Sequence, residues 1–591
     1  MRRRELLKMA AAVPCASLIP GSRAIHAAPP GSAIPRRRLR PSDAAWPGKA
    51  SWQDLNEKVG GNLIDVQPLL APADVLRNLR NPFYLGDQPA GTQVSGWLDA
   101  WTPAPSVYAI RAHTAADIAT GINFARTHNL RLVVKATGHS YLGTSNSADS
   151  LLIWTRAMNA VQLHDAFVPA GCSGRVAPVP AVTAEAGAMW IDLYQAVTTG
   201  GGRYVQGGGC TDTGVAGLIQ SGGFGSFSKG FGTAAASLLE AEVVTADGVI
   251  RTANACTNPD LFWALKGGGG GTFGVVTRVT VRTHDLPKTF GGAHGKIKAN
   301  SDEAYRRLIA RFINFYQESL FNAHWGEQVH FGSDNTLEIG MVSQGLESAE
   351  AEQIWKPFRD WVNASPDQMS LLRPLNTYAV RAQSWWNVPD NPTMIPDTRE
   401  GAPKYHAWWK DDQDQVGAYL YGFESLWLPA SLLEKDAQPR LAEALFAASR
   451  IKQVNFQVNK ALAAAAPDAR AASGQTATNP AVLDAFALVI IAGGEAPAYP
   501  GLPRPPVNLE AARADAHAID LATAELRKLV PEAGSYVSES NYFNLSWQRA
   551  YWGDNYARLS VIKKKYDPEG LFFVHHGVGS EQWSPDGFER L

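Results

Sequence analysis

The sequence predicts an α+β protein of at least two domains, on three observations. A strand, helix, strand pattern occupies residues 107–134, and a glycine-rich stretch with β-branched runs follows from Ala181 to His284. From about residue 290 to 530, hairpin signals alternate with amphipathic helices, which suggests an antiparallel sheet with helices packed on one side. A length of 591 residues fits two or three units of ordinary size. Apolar residues at 45% and charged residues at 18% exclude a disordered chain. The 54 Lys and Arg against 55 Asp and Glu leave a formal charge of −1, so nucleic acid and anionic membrane surfaces are not favoured as partners.

The chain begins Met1-Arg2-Arg3-Arg4-Glu5-Leu6-Leu7-Lys8, followed by an apolar stretch from Met9 to Ile19 that is too short to span a bilayer. It reads as a signal peptide of the twin-arginine type, residues 1–27, with cleavage near Ala27 or Ala28. An exported protein, periplasmic or secreted and without a membrane anchor, is expected. Cys15 lies in the signal and leaves Cys172, Cys210 and Cys256. An odd count in an oxidising compartment points to another job for one of them.

Residues 28–100 are rich in Pro and Trp with little periodicity and read as an N-terminal extension laid over the rest. Val107 to Ile110 suits a strand. Thr114 and Asp117 form a capping-box pattern ahead of a helical face of Ile118, Ile122 and Ala125, and Leu130 to Val134 returns as strand before the loop Lys135-Ala136-Thr137-Gly138-His139-Ser140. Leu238 to Thr245 and Val249 to Thr252 flank the turn Asp247-Gly248 as a hairpin. Ala304 to Leu320 reads as an amphipathic helix, and Gln328–Phe331 with Leu337–Ser343 flank the turn Ser333-Asp334-Asn335. The last helix carries Leu559, Ile562 and Tyr566 on one face and Lys563 to Lys565 in its final turn, where the dipole favours cations.

The 54 glycines, about 9% of the chain against an average near 7%, gather in three clusters: Gly207 to Gly209, Gly222-Gly223-Phe224-Gly225, and Gly267 to Gly271. Gly269-Gly270-Gly271-Thr272-Phe273-Gly274 satisfies the dinucleotide pattern G-x-G-x-x-G. That pattern needs a strand before it and a helix after it, whereas here Leu261 to Lys266 reads as helix and Val275 to Val281 as strand. No cluster ends in Gly-Lys-Ser/Thr, which removes a P-loop. His139 and Cys210 stand beside glycines, and an imidazole nitrogen and a thiolate can both attach to an electrophilic organic cofactor lying flat against the backbone. The adjacent His575 and His576 are read as pointing opposite ways, with no metal site expected.

The segments Lys135 to Ser145, Gly209-Cys210-Thr211-Asp212-Thr213-Gly214, Ser221 to Gly225, Tyr551 to Leu559 and Tyr566-Asp567-Pro568 resemble the berberine bridge enzyme-like group of FAD-linked oxidases, within the vanillyl-alcohol oxidase superfamily. The resemblance covers residues from about 100 to 285 and from 535 to the end. It implies a two-subdomain FAD-binding domain of the PCMH type at 101–287, a substrate-binding domain at 288–534, and a C-terminal segment at 535–591 that returns to complete the FAD domain. It further implies that His139 bonds the flavin 8α-methyl and Cys210 bonds flavin C6, leaving Cys172 and Cys256 to pair with each other or stay free. By the same resemblance Thr137, Gly138, Ser140, Gly143, Thr144, Gly209, Gly214, Ser221, Gly222, Gly274, Val275, Val276 and Asn555 bind the cofactor.

Such a flavin takes a hydride from a substrate C–H bond at N5 while a base removes the hydroxyl proton, and dioxygen reoxidises it with formation of hydrogen peroxide. Tyr536 matches the tyrosine of the substrate pocket and is the first candidate for the base, with Glu539 second. Gly208 corresponds to a position that controls oxygen access, and its lack of a side chain favours an oxidase. The implied partners are a small alcohol or carbohydrate and dioxygen. The runner-up is a dehydrogenase with the same covalent flavin and another electron acceptor. Trp385, Trp386, Tyr405, Trp408 and Trp409 read as core packing or as stacking surfaces for a substrate ring.

Overall fold

The computed structural model describes residues 37–69, 73–504 and 506–591; the expected signal peptide lies outside them. The first sheet has four strands in the order Leu63–Asp65, Tyr108–Arg111, Ser150–Trp154, Arg131–Lys135. Both strands expected around the first helix are present, but Ser150–Trp154 lies between them and runs parallel to each. Its residues are buried throughout, so its apolar run suits the middle of a sheet covered on both faces. The helix Ala115–Thr127 starts with the capping box of Thr114 and Asp117, and Ile118, Ile122 and Ala125 pack with Ile110, Leu132 and Ile153. The N-terminal segment is more than an overlay. It contributes the antiparallel edge strand Leu63–Asp65 and the helix Lys49–Lys58, whose Trp52 and Leu55 enter the same core.

The second sheet is antiparallel, in the order Val161–Phe167, Val179–Glu185, Val275–Arg282, Leu238–Val244, Ile250–Asn254. The helix Pro259–Leu265 precedes the strand Val275–Arg282, the reverse of a dinucleotide-binding turn. Cys172 and Cys256 form a disulfide, and Cys210 is free.

The third sheet has seven antiparallel strands, ordered Met369–Arg381, Thr289–Ala299, Thr336–Gln344, Trp325–Phe331, Val454–Gln457, Ala485–Glu495, Tyr419–Pro429. Alternation sets its two faces. Leu337, Ile339 and Met341 pack under Asp302–Phe315, Ser348–Asn363, Gln438–Ile451 and Leu509–Arg527, while Gly340 and Val342 face a cavity on the other side. The helix expected over Ala304 to Leu320 ends at Phe315 and continues as a π-turn from Tyr316 to Leu320.

After this sheet, the helices Trp547–Trp552 and Asn555–Tyr566 pack on the second sheet: Leu559, Ile562 and Tyr566 share a cluster with Leu261 and Val276, and Trp552 Nε1 donates to Gly267 O at 3.0 Å. Lys563 does not serve the helix dipole from the surface. It is buried, and its ammonium donates to Asp567 (2.6 Å) and to the carbonyls of Thr272 and Phe572 (both 2.7 Å), which together satisfy all three of its protons. Lys563→Met leaves the Asp567 carboxylate buried without its cation and is expected to cost about 3–5 kcal/mol, read as a lowered thermal unfolding midpoint. An unchanged midpoint would mean that the pair contributes nothing.

Candidate active site

A cavity of about 1020 Å³ opens where the three sheets meet, beyond the carboxyl ends of the parallel strands Arg131–Lys135 and Ser150–Trp154. This is the usual location of a ligand in such sheets. One wall is the loop after Lys135. The Lys135 ammonium is buried and donates to the carbonyls of Gln88 (2.6 Å), Pro89 (2.9 Å) and Gly91 (2.7 Å), and burial pulls its pKa down to about 7. Gln93 N donates to Gly138 O (3.1 Å), and Gly214 N donates to Thr137 Oγ1 (3.1 Å). Gly138 has φ +87°, and a Cβ there would lie 3.1 Å from Gly91 O, so the turn needs glycine. Ser140 Oγ accepts from Thr144 N at 3.0 Å. Within this scaffold the backbone N–H groups of Gly138, His139, Ser140 and Tyr141 donate to no other described residue. Four consecutive unpaired donors on a cavity wall make an anion nest, which suits a pyrophosphate.

The neighbouring wall is the turn that carries Cys210, joined to the loop by the bond of Gly214 N to Thr137 Oγ1. A Cβ on Gly207 would lie 2.1 Å from the Trp190 ring, so that glycine permits a close approach inside the protein. Gly209, Gly217 and Gly270 differ: a Cβ on Gly209 or Gly270 meets no protein atom nearer than 3.9 Å, and on Gly217 none within 4 Å. All three line the cavity, and their bareness leaves flat backbone for a flat ring. Buried Ser145 Oγ, Gln220 Oε1 and Asn459 Oδ1 also line it without a partner among the described residues. Unpaired donors, unpaired acceptors and open glycine surface fit a large planar nucleotide cofactor such as FAD.

His139 and Cys210 both line this cavity. His139 Nε2 bonds the buried carboxylate of Asp212. Burial, reinforced by Asp412 and Asp212, holds Cys210 as a thiol by pushing its pKa well up. Asp412 is pushed up to about 7 by burial first and then by the carboxylates of Asp212 and Glu327. Glu327 is raised by burial and accepts from Ser226; its backbone sits at φ +61°, a strained conformation of the kind that collects at functional sites. The Tyr536 hydroxyl is buried, and burial followed by the charge of Glu539 pushes its pKa up; Ser538 and the Gly223 backbone stand near it without meeting hydrogen-bond geometry. Glu539 is a poor free base in this setting, because Lys460 Nζ donates to both its oxygens at 2.6 Å.

Thr137, Gly138, Ser140, Thr144, Gly209, Gly214, Ser221, Gly274, Val276, Tyr536 and Glu539 therefore meet at one cavity with His139 and Cys210. Four expected cofactor residues stand off its wall. Gly143 lies under Trp101, where a Cβ would come within 2.5 Å of the indole; Gly222 packs on Thr478. Val275 points to the opposite face from Val276, into the core of the first sheet, and Asn555 donates to Thr478 O at 2.9 Å. Trp386 and Trp408 are core, whereas Trp385 and Trp409 reach the cavity and Trp409 Nε1 donates to Gly209 O at 3.0 Å. His575 and His576 do not point apart: the positive φ of His576 turns their rings into a stack at 3.8 Å. Among the described residues no three metal-binding side chains gather, and no helix is long and apolar enough to cross a membrane. Asp212, Glu327, Lys460 and Asp412 were not singled out by sequence. Asp212 alone had a signal, its place two residues after Cys210.

The family profile described as an FAD binding domain matches residues 106–254, and the one described as berberine and berberine like matches residues 520–579. A VAO-type flavoprotein oxidase of Thermothelomyces thermophilus is 29% identical over 601 aligned residues, covering 94% of this chain and 95% of its own. The chain is an FAD-linked oxidoreductase that resembles the berberine bridge enzyme-like group. The crystal structure of a VAO-type flavoprotein from Myceliophthora thermophila matches this FAD-linked oxidoreductase with a TM-score of 0.75 at 25% identity, covering 93% of this chain and 98% of that one. Glucooligosaccharide oxidase from Acremonium strictum, described with a 6-S-cysteinyl, 8α-N1-histidyl FAD, shares the fold at a TM-score of 0.63 and 17% identity, with 89% and 99% covered.

Gly270→Leu places a side chain in space that the protein leaves open. The variant is expected to keep its far-ultraviolet circular dichroism and lose most of its bound FAD, measured as flavin absorbance per protein. Full flavin content would show that this surface is not where the cofactor lies.

Proposed function

We propose that the chain is an oxidase with FAD attached to both His139 and Cys210, acting on a hydroxyl-bearing substrate, an alcohol or carbohydrate, with dioxygen as electron acceptor. The observation that carries this reading is that both nucleophiles line one cavity, beside an anion nest and open glycine backbone. The doubly linked flavin described for the Acremonium oxidase supports it. When bound, the flavin supplies the hydride acceptor and the route of electrons to dioxygen.

The protein's part is to hold the cofactor, orient the substrate and take a proton. Tyr536 and Asp412 share the proton work. The raised pKa of Tyr536 makes it a hydrogen-bond donor to the substrate oxygen at neutral pH, and Asp412, poised at about 7, suits a proton acceptor there. Lys460, held by Glu539, places a positive charge on the same wall, where it stabilises developing alkoxide. The segment Ala407–Trp409 is tied to the residues on either side of Cys210, with Thr211 Oγ1 donating to Ala407 O at 2.6 Å and Trp409 Nε1 to Gly209 O at 3.0 Å, and so helps to fix the Cys210 turn. Export by a carrier of folded proteins fits this order of events, since the flavin loads in a folded pocket before the protein leaves the cytoplasm.

An alcohol and sugar panel tests the reaction. Anaerobic substrate is expected to bleach the flavin, and air is expected to restore it with one hydrogen peroxide per turnover. Bleaching that only a quinone or dye reverses would replace the oxidase with a dehydrogenase. A carboxylate accepts a proton only when ionised, so kcat/KM is expected to fall as pH drops through about 7. Asp412→Asn is expected to lower kcat/KM about 100-fold and to remove that acid limb; an unchanged profile would exclude Asp412 as the acceptor.

A further inference from the structure

The His139 ring is held by a single hydrogen bond. Its Nε2 meets the Asp212 carboxylate, and among the described residues Nδ1 has no partner and Asp212 accepts from no other group. An ionised carboxylate only accepts, so Nε2 carries the proton and the lone pair lies on Nδ1. Asp212 is rigidly set. The preceding residue is pinned on both sides, with Ile191 N donating to Thr211 O at 2.8 Å and Thr211 Oγ1 donating to Ala407 O, and Asp212 itself is buried.

We infer that Asp212 is the positioning residue for flavin attachment at His139, selecting the imidazole tautomer whose Nδ1 bonds the 8α carbon and stabilising the imidazolium as that bond forms. The inference rests on the covalent-flavin reading above. The physics is that of an aspartate behind a catalytic histidine: it fixes ring orientation and tautomer and offsets the developing charge. In the attachment step an 8α C–H bond breaks and an Nδ1–C bond forms. The C–H electron pair stays in the ring as a two-electron reduction, and the 8α proton and the Nε2 proton, the latter through Asp212, leave to the ring and solvent. Dioxygen then takes up two electrons and two protons as hydrogen peroxide, which restores the oxidised, His-linked ring.

The charge of Asp212 acts oppositely on the two anchors. It favours nucleophilic His139, while beside Cys210 it helps to keep the thiol protonated. Asp212→Asn is therefore expected to lose the His139 bond and to retain or hasten the Cys210 bond, a split that loss of packing would not produce.

The experiment maps flavin-bearing peptides from full-length protein after acid precipitation. In the wild type both the His139 and the Cys210 peptides are expected to carry flavin. In Asp212→Asn the His139-linked fraction is expected to fall about tenfold or more with the Cys210 link kept, and in Asp212→Ala added formate is expected to restore the His139 link in proportion to dose. His139 linked as fully in Asp212→Asn as in the wild type would overturn the inference, as would loss of both links with no response to formate. Should Asp212→Asn not accumulate as soluble protein, the formate titration in Asp212→Ala decides alone. Wild type without flavin on either peptide would instead overturn the covalent-flavin reading.

Discussion

The site depends on a loop that is held open. Four consecutive backbone N–H groups, from Gly138 to Tyr141, line a cavity without partners among the described residues, and a chain left to itself would close on such donors. What prevents closure is the buried Lys135, whose three carbonyl bonds tie residues 88–91 beneath the loop, together with the Gln93 and Thr137 bonds that fix its two ends. An anion bound in the nest relieves the unpaired donors, so the folded protein and its cofactor stabilise each other. The N-terminal segment belongs to this device: without residues 82–93 the loop has no floor.

Early chain and late chain divide the labour. In the proposed enzyme the loop after the first sheet and the turn around Cys210 hold the cofactor, whereas Glu327, Asp412, Lys460 and Tyr536, all later in sequence, line the part of the cavity assigned to substrate. Burial, reinforced by the acidic side chains gathered around Cys210 and His139, is why Asp412 is pushed up to about 7 and why the thiol stays protonated. The same burial and crowding that raise Asp412 suit it to the proposed role of proton acceptor.

Local pattern made much of the fold legible. The capping box at Thr114, the hairpin at Asp247-Gly248 and the alternation of Leu337, Ile339 and Met341 are short-range signals, and each element stands where its pattern put it. Neighbours in space were less legible. Nothing near Val107 announces that Ser150–Trp154 slots between the two flanking strands, because a buried apolar run names a strand and not its partners. The glycines separated only in three dimensions, into those that admit another side chain, such as Gly207, and those that leave open surface, such as Gly270. His139, Cys210 and Tyr536 were readable from their motifs, but Lys410-Asp411-Asp412 looks like an ordinary surface charge run, and within it Lys410 and Asp411 are exposed while Asp412 alone sits half-buried beside Cys210. Lys563 shows the converse, a residue that looked like a surface cation and is buried with its ammonium bonded to three partners at once.

The central claim is that one FAD is bonded to this chain through both His139 and Cys210. Intact mass spectrometry of the denatured wild type and of the His139→Ala, Cys210→Ala and double variants tests it most directly. The wild type and each single variant are expected to be heavier than their apoprotein by one FAD, and the double variant to show the bare chain mass. A wild type that shows only the bare chain mass would contradict the claim.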